Sequence, residues 1–326
     1  MPKERRPAGR PANCAASRAG AWFFGLVLPL FQAAASPQPP STPDVLSRVA
    51  EEAEVFRQNA PKTLTQETLE QRALMPPSRF RPLAGQAPAN LLQPHLQLRE
   101  IVSEYSVGPL HDSASQNLVE FRQVVSVDGR PIQSAESARH ALSLGVHSAD
   151  DRIRKRMLED FARHGLVDIA TDYGLILLAF SKRGQQEMRI APAGEARIGS
   201  DDALVYRWQQ TSAEAGELEF RGKMVARRAL QGLLWVRRTD GLPLRVQAWA
   251  EYVNPSKRRI RDEGTVEYVL SAHGFLTPAS VLHRHLVDGQ LITENLYRYE
   301  PFKLFGADTE IKFTEVPDTP TAPVKK

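Results

Sequence analysis

Cysteine is almost absent from this chain of 326 residues: the single one, Cys14, sits near the start. Without a second thiol there is no intrachain disulfide, and nothing downstream of residue 14 offers a thiolate metal site or a cysteine nucleophile. Long hydrophobic runs are missing as well. The longest uncharged apolar stretch, Ala21 to Phe31, is about half the ~20 residues that a membrane-spanning helix requires, and Pro29 interrupts it. The usual catalytic signatures are also lacking, with no H-E-x-x-H, G-x-S-x-G or G-x-G-x-x-G. Gly216, Gly222 and Lys223 miss the phosphate-binding loop in spacing and lack its Ser/Thr.

Residues 1–35 read as an export signal. Lys3, Arg5, Arg6, Arg10 and Arg18 precede the apolar run, and Ala33-Ala34-Ala35 follows it as a small-residue cleavage site, leaving Ser36 as the first mature residue. Cys14 precedes the run, so it is not placed as a lipidation cysteine. Setting the signal aside changes the charge balance. The whole chain has 42 Lys+Arg against 38 Asp+Glu, and removing five bases and one acid leaves 37 of each. A mature chain with no cationic surplus excludes general binding to nucleic acid. The clusters Arg152–Arg156 and Lys257–Arg261 read as a solvated helix face and an exposed hairpin tip. The expected location is exported, periplasmic or extracellular, with no transmembrane anchor after cleavage.

Residues 36–94 comprise a proline-rich spacer (36–43), a helix from Asp44 to about Gln58 with Val45, Val49, Ala53 and Phe56 on one stripe, and an irregular connection at 75–94 with five prolines. Thr63 to Leu74 fits a first strand, although its alternation is poor. Residues 95–315 form a β-rich domain with a helical insert at about 134–180. Its first strands are Leu96–Val107 and Leu118–Val127, followed by a turn at Asp128-Gly129. Helices follow at about Ser134–Leu144 and Ser148–His164, with Ser148 as the expected N-cap of the second. Residues 169–180 (IATDYGLILLAF) fit either a buried helix or a strand.

From residue 204 strands and tight turns alternate: Leu204–Gln210, Phe220–Ala226, Leu230–Arg237, Leu244–Val253, Gly264–Leu270, Ser280–Val287 and Gln290–Tyr299. This spacing predicts an antiparallel meander. Leu244, Val246, Ala248, Ala250 and Tyr252 share one face, and Arg245, Gln247, Trp249 and Glu251 share the other. Ile311-Lys312-Phe313 fits a last edge strand, and 316–326 is expected to be a disordered tail. The predicted fold class is α+β: a curved antiparallel sheet, an incomplete barrel, with helices covering one face.

The segment Gly232-Leu-Leu-Trp-Val-Arg-Arg-Thr-Asp-Gly-Leu-Pro-Leu-Arg245 and the turn Gly274-Phe-Leu-Thr-Pro278, set in this order of elements behind an export signal, resemble the outer-membrane lipoprotein carrier family. That family includes periplasmic lipoprotein-sorting proteins and related sensor domains of envelope stress regulators. The resemblance implies an incomplete barrel whose concave apolar face is covered by helices, and a carrier function.

On this reading the chain is a non-enzymatic exported binding or carrier protein for an apolar, lipid-like ligand such as an acyl chain. Trp235, Val246, Ala248, Tyr252 and Tyr268 are the candidate cavity residues, and no cofactor is called for. A protein-interaction or regulatory domain with an envelope protein partner is the alternative. The third reading is a metal-dependent hydrolase. If Asp288-Gly289 is a two-residue hairpin, His285 faces Ile292 and His283 faces Glu294, which puts His283, His285 and Glu294 on one face as a weak His₂-carboxylate candidate.

Overall fold

The computed structural model describes residues 41–77, 93–109, 118–148, 150–167, 173–212 and 228–305. The expected signal at 1–35, residues 36–40 of the spacer, most of the proline-rich connection, the strand at 220–226, the edge strand at 311–313 and the tail lie outside the described residues, whereas Thr42 and Pro43, assigned to the spacer, belong to the first helix.

The described residues open with α1 (Thr42–Asn59), which carries Pro43 in its first turn, where no N–H is needed, and Asp44 and Arg57 in its first and last turns, where the helix dipole favours their charges. Val45, Val49, Ala53 and Phe56 form its buried stripe, as predicted. Each of the larger three contributes on the order of 1.5–3 kcal/mol relative to exposure. After a 3-10 turn (Ala60–Lys62) come β1 (Thr63–Met75), β2 (His95–Pro109), β3 (Leu118–Val127) and the two-residue β4 (Arg130–Pro131). Two helices follow, α2 (Ala135–His147) and α3 (Asp151–Ala162). A buried 3-10 segment (Tyr173–Phe180) and the short α4 (Lys182–Gln186) lead into the second run of strands. These are β5 (Met188–Ile198), β6 (Asp201–Gln210), β7 (Gln231–Arg237), β8 (Pro243–Val253), β9 (Arg259–Leu270), β10 (Leu276–Val287), β11 (Gln290–Tyr299) and β12 (Lys303–Leu304).

All the strands join one antiparallel sheet in the order β4-β3-β2-β1-β11-β10-β9-β8-β7-β6-β5, with β12 also pairing β1. Among the described residues the sheet is not closed into a barrel. Two meanders, β1–β4 and β5–β11, meet where β1 pairs with β11. Residues 63–75 therefore belong to the middle of the β-rich sheet, although the sequence places them ahead of it. Bulges interrupt the register within β2–β3, β7–β8, β9–β10 and β10–β11. Such extra residues bend a strand and raise its local twist.

One face, the inner one, is covered by α1 and the Tyr173–Phe180 segment. α1 packs on that segment, which itself reaches β3, β8, β9 and β10. The main core gathers Val49, Ala53 and Phe56 of α1, Leu175–Phe180, and Leu234, Val246, Ala248, Val266, Tyr268 and Leu276 of the sheet. A second cluster, Phe121, Leu142, Val146 and Met157, lies where α2 and α3 pack on β2 and β3. Glu104, whose neighbours Ser103 and Tyr105 point inward, is held by Arg139 of α2 at 3.2 Å. α2 thus packs on the outer face, and β2 and β3 are buried on both sides.

The helix caps differ from expectation in one place. α2, expected to start at about Ser134, has that residue as its N-cap, its hydroxyl accepting from Ser137 N–H. The N-cap of α3 is Asp150, which accepts from Arg152 N–H, whereas Ser148 closes α2 and its hydroxyl accepts from Asp150 N–H. The carboxylate is the better partner for an N-terminal dipole. No helix among the described residues is long and apolar enough to cross a membrane.

Candidate ligand site

The inner face divides into an apolar half and a polar half. In the apolar half, on β6–β9, Val246 and Ala248 are fully buried and Tyr268 nearly so. The hydroxyl of Tyr268 donates to Gly174 O and accepts from Leu177 N–H, both at 3.1 Å, pinning the Tyr173–Phe180 segment to the sheet. Burial drives this phenol's pKa far upward, so it stays a neutral donor. Tyr252 lies on the same face at its edge, and its hydroxyl donates to Asp262 Oδ2 at 3.0 Å. Four of the five candidate cavity residues thus share one side. Trp235 does not join them. Leu234 and Val236 point inward, and Trp235 lies on the outer face under the Arg245 guanidinium, 5.4 Å from its ring centroid. Trp249 is likewise outside, covered by Arg261 at 4.8 Å.

Small residues line up across three adjacent strands at the centre of this half. Gly264 of β9 pairs with Ala248 of β8, which pairs with Gly232 of β7. A Cβ at Gly264 would come within 2.2 Å of the Tyr173 ring, and one at Gly232 would strike the Gln247 carbonyl and the Trp208 indole. The missing side chains form a trough into which Tyr173 and Trp208 are pressed.

The polar half lies on β1, β2, β3, β10 and β11, and its centre is Arg122. Its guanidinium donates to Glu67 Oε1 and Oε2 at 2.7 and 2.8 Å and to Glu120 Oε2 at 2.6 Å, all three side chains being buried. The rings of Tyr105, Phe161 and Tyr297 stand 5.1, 5.1 and 5.4 Å from its carbon. Burial raises the Glu67 pKa despite the pull of Arg122. Burial works against the charge of Arg122, but the two carboxylates outweigh it and push its pKa further up. Tyr105 lies beside Glu120 and Tyr299 beside Glu67, both phenols raised well above their usual range, chiefly by burial.

Next to this cluster the two histidines lie on the inner face, but Glu294 does not. Val287 pairs with Gln290 across the Asp288-Gly289 turn, whose positive φ angles of 49° and 82° fit a primed hairpin. Beyond it a bulge sets His285 opposite Thr293 and His283 opposite Asn295. The extra residue, Ile292, moves Glu294 to the outer face, where it accepts from Arg284 at 2.9 Å. The predicted His₂-carboxylate set is therefore not assembled. The carboxylate that meets the histidines is Asp262, whose Oδ1 accepts from His285 Nδ1–H at 2.5 Å. Among the described residues no group of three or more His, Cys, Asp or Glu is arranged to hold a metal ion.

A relay of amides fixes the tautomer of His283. Gln71 accepts from Val167 N–H, so its amide nitrogen donates to Val167 O at 2.9 Å and to Asn295 Oδ1 at 2.6 Å. Asn295 must then present its NH₂, which donates to His283 Nδ1 at 3.0 Å. His283 is neutral, its pKa lowered to about 4 chiefly by burial, and carries its proton on Nε2. The Tyr173 ring stacks on it with centroids 5.3 Å apart.

The sequence signal for the polar half is the poor alternation of residues 63–74. Thr65, Glu67, Leu69, Gln71 and Ala73 do alternate inward, but three of the five are polar. Asp262 hides the same way, in the inward set Ile260, Asp262, Gly264, Val266 and Tyr268.

No protein-family profile matches the sequence, and no curated protein does. Solved structures similar to the chain include a LolA superfamily protein from Nitrosomonas europaea, with 12% identity over 81% of this chain and 94% of the other and a TM-score of 0.26. A Vibrio parahaemolyticus domain named for outer membrane lipoprotein sorting is 6% identical over 80% and 95%, with a TM-score of 0.27. A DUF1329 family protein from Desulfovibrio piger is 11% identical over 80% and 94%, with a TM-score of 0.29.

Proposed function

We propose that this protein is an exported, non-enzymatic carrier of the cell envelope that binds an apolar, lipid-like ligand on the inner face of its open sheet. The observation that carries this reading is the segment Tyr173–Phe180 (YGLILLAF). All eight residues are buried, yet they run in 3-10 turns, a geometry seldom sustained beyond three or four residues. An apolar stretch lies in the trough in a poor helical conformation, held to the sheet's tyrosine by two hydrogen bonds. It occupies the place an acyl chain would take. A chain of about a dozen methylenes, at ~0.8 kcal/mol each, supplies on the order of 10 kcal/mol toward displacing it. Binding then selects the state in which the segment has left the trough.

Val246, Ala248, Tyr252 and Tyr268 form the wall of this site, without Trp235. The test is organic extraction of the protein purified from the periplasm of an expressing bacterium. Near-stoichiometric lipid is expected, and Val246→Arg should abolish it by setting a charge in the trough while circular dichroism reports whether the sheet survives. Clean wild-type protein, unable to take up palmitoyl lipids added afterwards, would remove the carrier reading.

The second reading is pairing with an envelope protein along the edge strand β5. β5 is exposed over most of its length and pairs only with β6 among the described residues. Pro192 and the adjoining bulge blunt that edge, which is why it stands second.

A further inference from the structure

Three hydroxyl or imidazole groups at the junction of the two halves have no hydrogen-bond partner among the described residues although they are buried: His283 Nε2, Thr293 Oγ1 and the Tyr173 hydroxyl. His283 and Tyr173 are each 1% exposed and Thr293 is fully buried. The amide relay from Gln71 leaves the His283 Nε2–H as a donor with no acceptor. A donor buried without an acceptor forfeits its hydration and gains nothing in return, so native proteins seldom keep one without use. The nearest carboxylate oxygen, Asp262 Oδ1, is 4.0 Å away, beyond hydrogen-bond reach, and already accepts from His285. The other Asp262 oxygen accepts from Tyr252.

We propose that His283 Nε2–H, with the Thr293 hydroxyl on the adjoining strand, is a binding site for the carbonyl oxygen of a neutral ester or amide carried by the apolar ligand. The site rests on the carrier reading above, because Tyr173 covers His283 and must leave with its segment before a ligand reaches it. Two orphan donors call for an acceptor. The Asp262 carboxylate 4.0 Å from Nε2 repels a second anion, so a free fatty acid is disfavoured and a neutral carbonyl fits. The position also fits, since His283, Gly264, Ala248 and Gly232 form one row across β10, β9, β8 and β7. A chain laid along the glycine–alanine trough ends with its carbonyl at the histidine.

The experiment compares three probes on the mature chain: 1-monopalmitoylglycerol, its ether analogue 1-O-hexadecylglycerol, and palmitate at pH 8. One hydrogen bond made rather than lost corresponds to roughly tenfold in affinity, so the ester should bind about tenfold more tightly than the ether, and palmitate no better than the ether. His283→Phe keeps the ring against Tyr173 and removes the donor. Thr293→Val keeps the shape and removes the hydroxyl. Both should erase the ester preference while the ether still binds, and Thr293→Val decides alone if His283→Phe fails to fold. Equal binding of ester and ether by the wild type overturns this site and leaves the carrier reading standing, as does a preference that both variants retain. Palmitate binding as tightly as the ester overturns the choice of a neutral group. Failure of every probe to bind overturns both the site and the carrier reading.

Discussion

Arg122 holds two carboxylates that would otherwise face each other inside the sheet without a counter-charge. Replacing it with Met keeps much of its volume but leaves Glu67 and Glu120 unpaired, and a broken buried pair of this kind costs about 3–5 kcal/mol. Urea unfolding of Arg122→Met should register a loss of that size, and adding Glu67→Leu and Glu120→Leu should restore much of it. His283 sets a different expectation, for pH. Its imidazole titrates near the ordinary 6.5 when unfolded and at about 4 when folded. The unfolded chain therefore takes up a proton first as pH falls. The stability contributed by the neutral buried ring is complete above pH ~6.5 and is lost progressively as pH drops through about 4. The shift corresponds to a loss on the order of 3 kcal/mol. Measured as a urea midpoint against pH, that decline should be shallower in His283→Phe than in the wild type.

Among the elements, the Tyr173–Phe180 segment behaves as both core and competitor. An ordinary core residue, once truncated, loses stability and binding together. Leu177, fully buried in this segment, should separate the two. Leu177→Ala should lower unfolding free energy by about 2–5 kcal/mol. The same change weakens the occupant a ligand must displace, so affinity for 1-monopalmitoylglycerol should rise. Parallel loss of both quantities would make the segment an ordinary part of the core. Gly264 provides the complementary lever from the sheet side. Because a Cβ there overlaps the Tyr173 ring, Gly264→Ala should push the segment off the trough without touching its own sequence. Faster cleavage by chymotrypsin at Tyr173 or Phe180 is the expected readout. The pairs Arg245–Glu267, Arg261–Glu263 and Arg284–Glu294 on the outer face are half-exposed, and each contributes little to stability, ~1 kcal/mol or less.

For the whole molecule, charge follows from counting, and the proposed address is open to a direct test. N-terminal sequencing of the exported protein should begin at or near Ser36, and a product retaining Ala21–Phe31 would mean an anchor. With 37 bases against 37 acids after residue 35, DNA and RNA binding at physiological salt should be negligible in a filter or anisotropy assay. Local pattern alone determined α1, the turns at Asp128-Gly129 and Asp288-Gly289 and, among the described residues, the strands from 204 to 299, because helical stripes and tight-turn residues are read within a few neighbours. β5 escaped it, since an exposed edge strand with Pro192 and Gly194 has no buried face to impose alternation. Tertiary structure decided the rest. Residues 63–75 are a central strand because they meet β2 and β11 from distant parts of the chain, and their inward polar groups, which spoil the alternation, are satisfied by partners 55 and 224 positions away. The conformation of 173–180 was equally out of reach, because an all-apolar run records no direction in which burial lies. The single bulged residue Ile292 settled the site. Side chains alternate with a period of two, so one added residue turned Glu294 to the outer face and Arg284, and left Asp262 to meet His285, an outcome that depends on the bulge and is not written in the spacing of the residues.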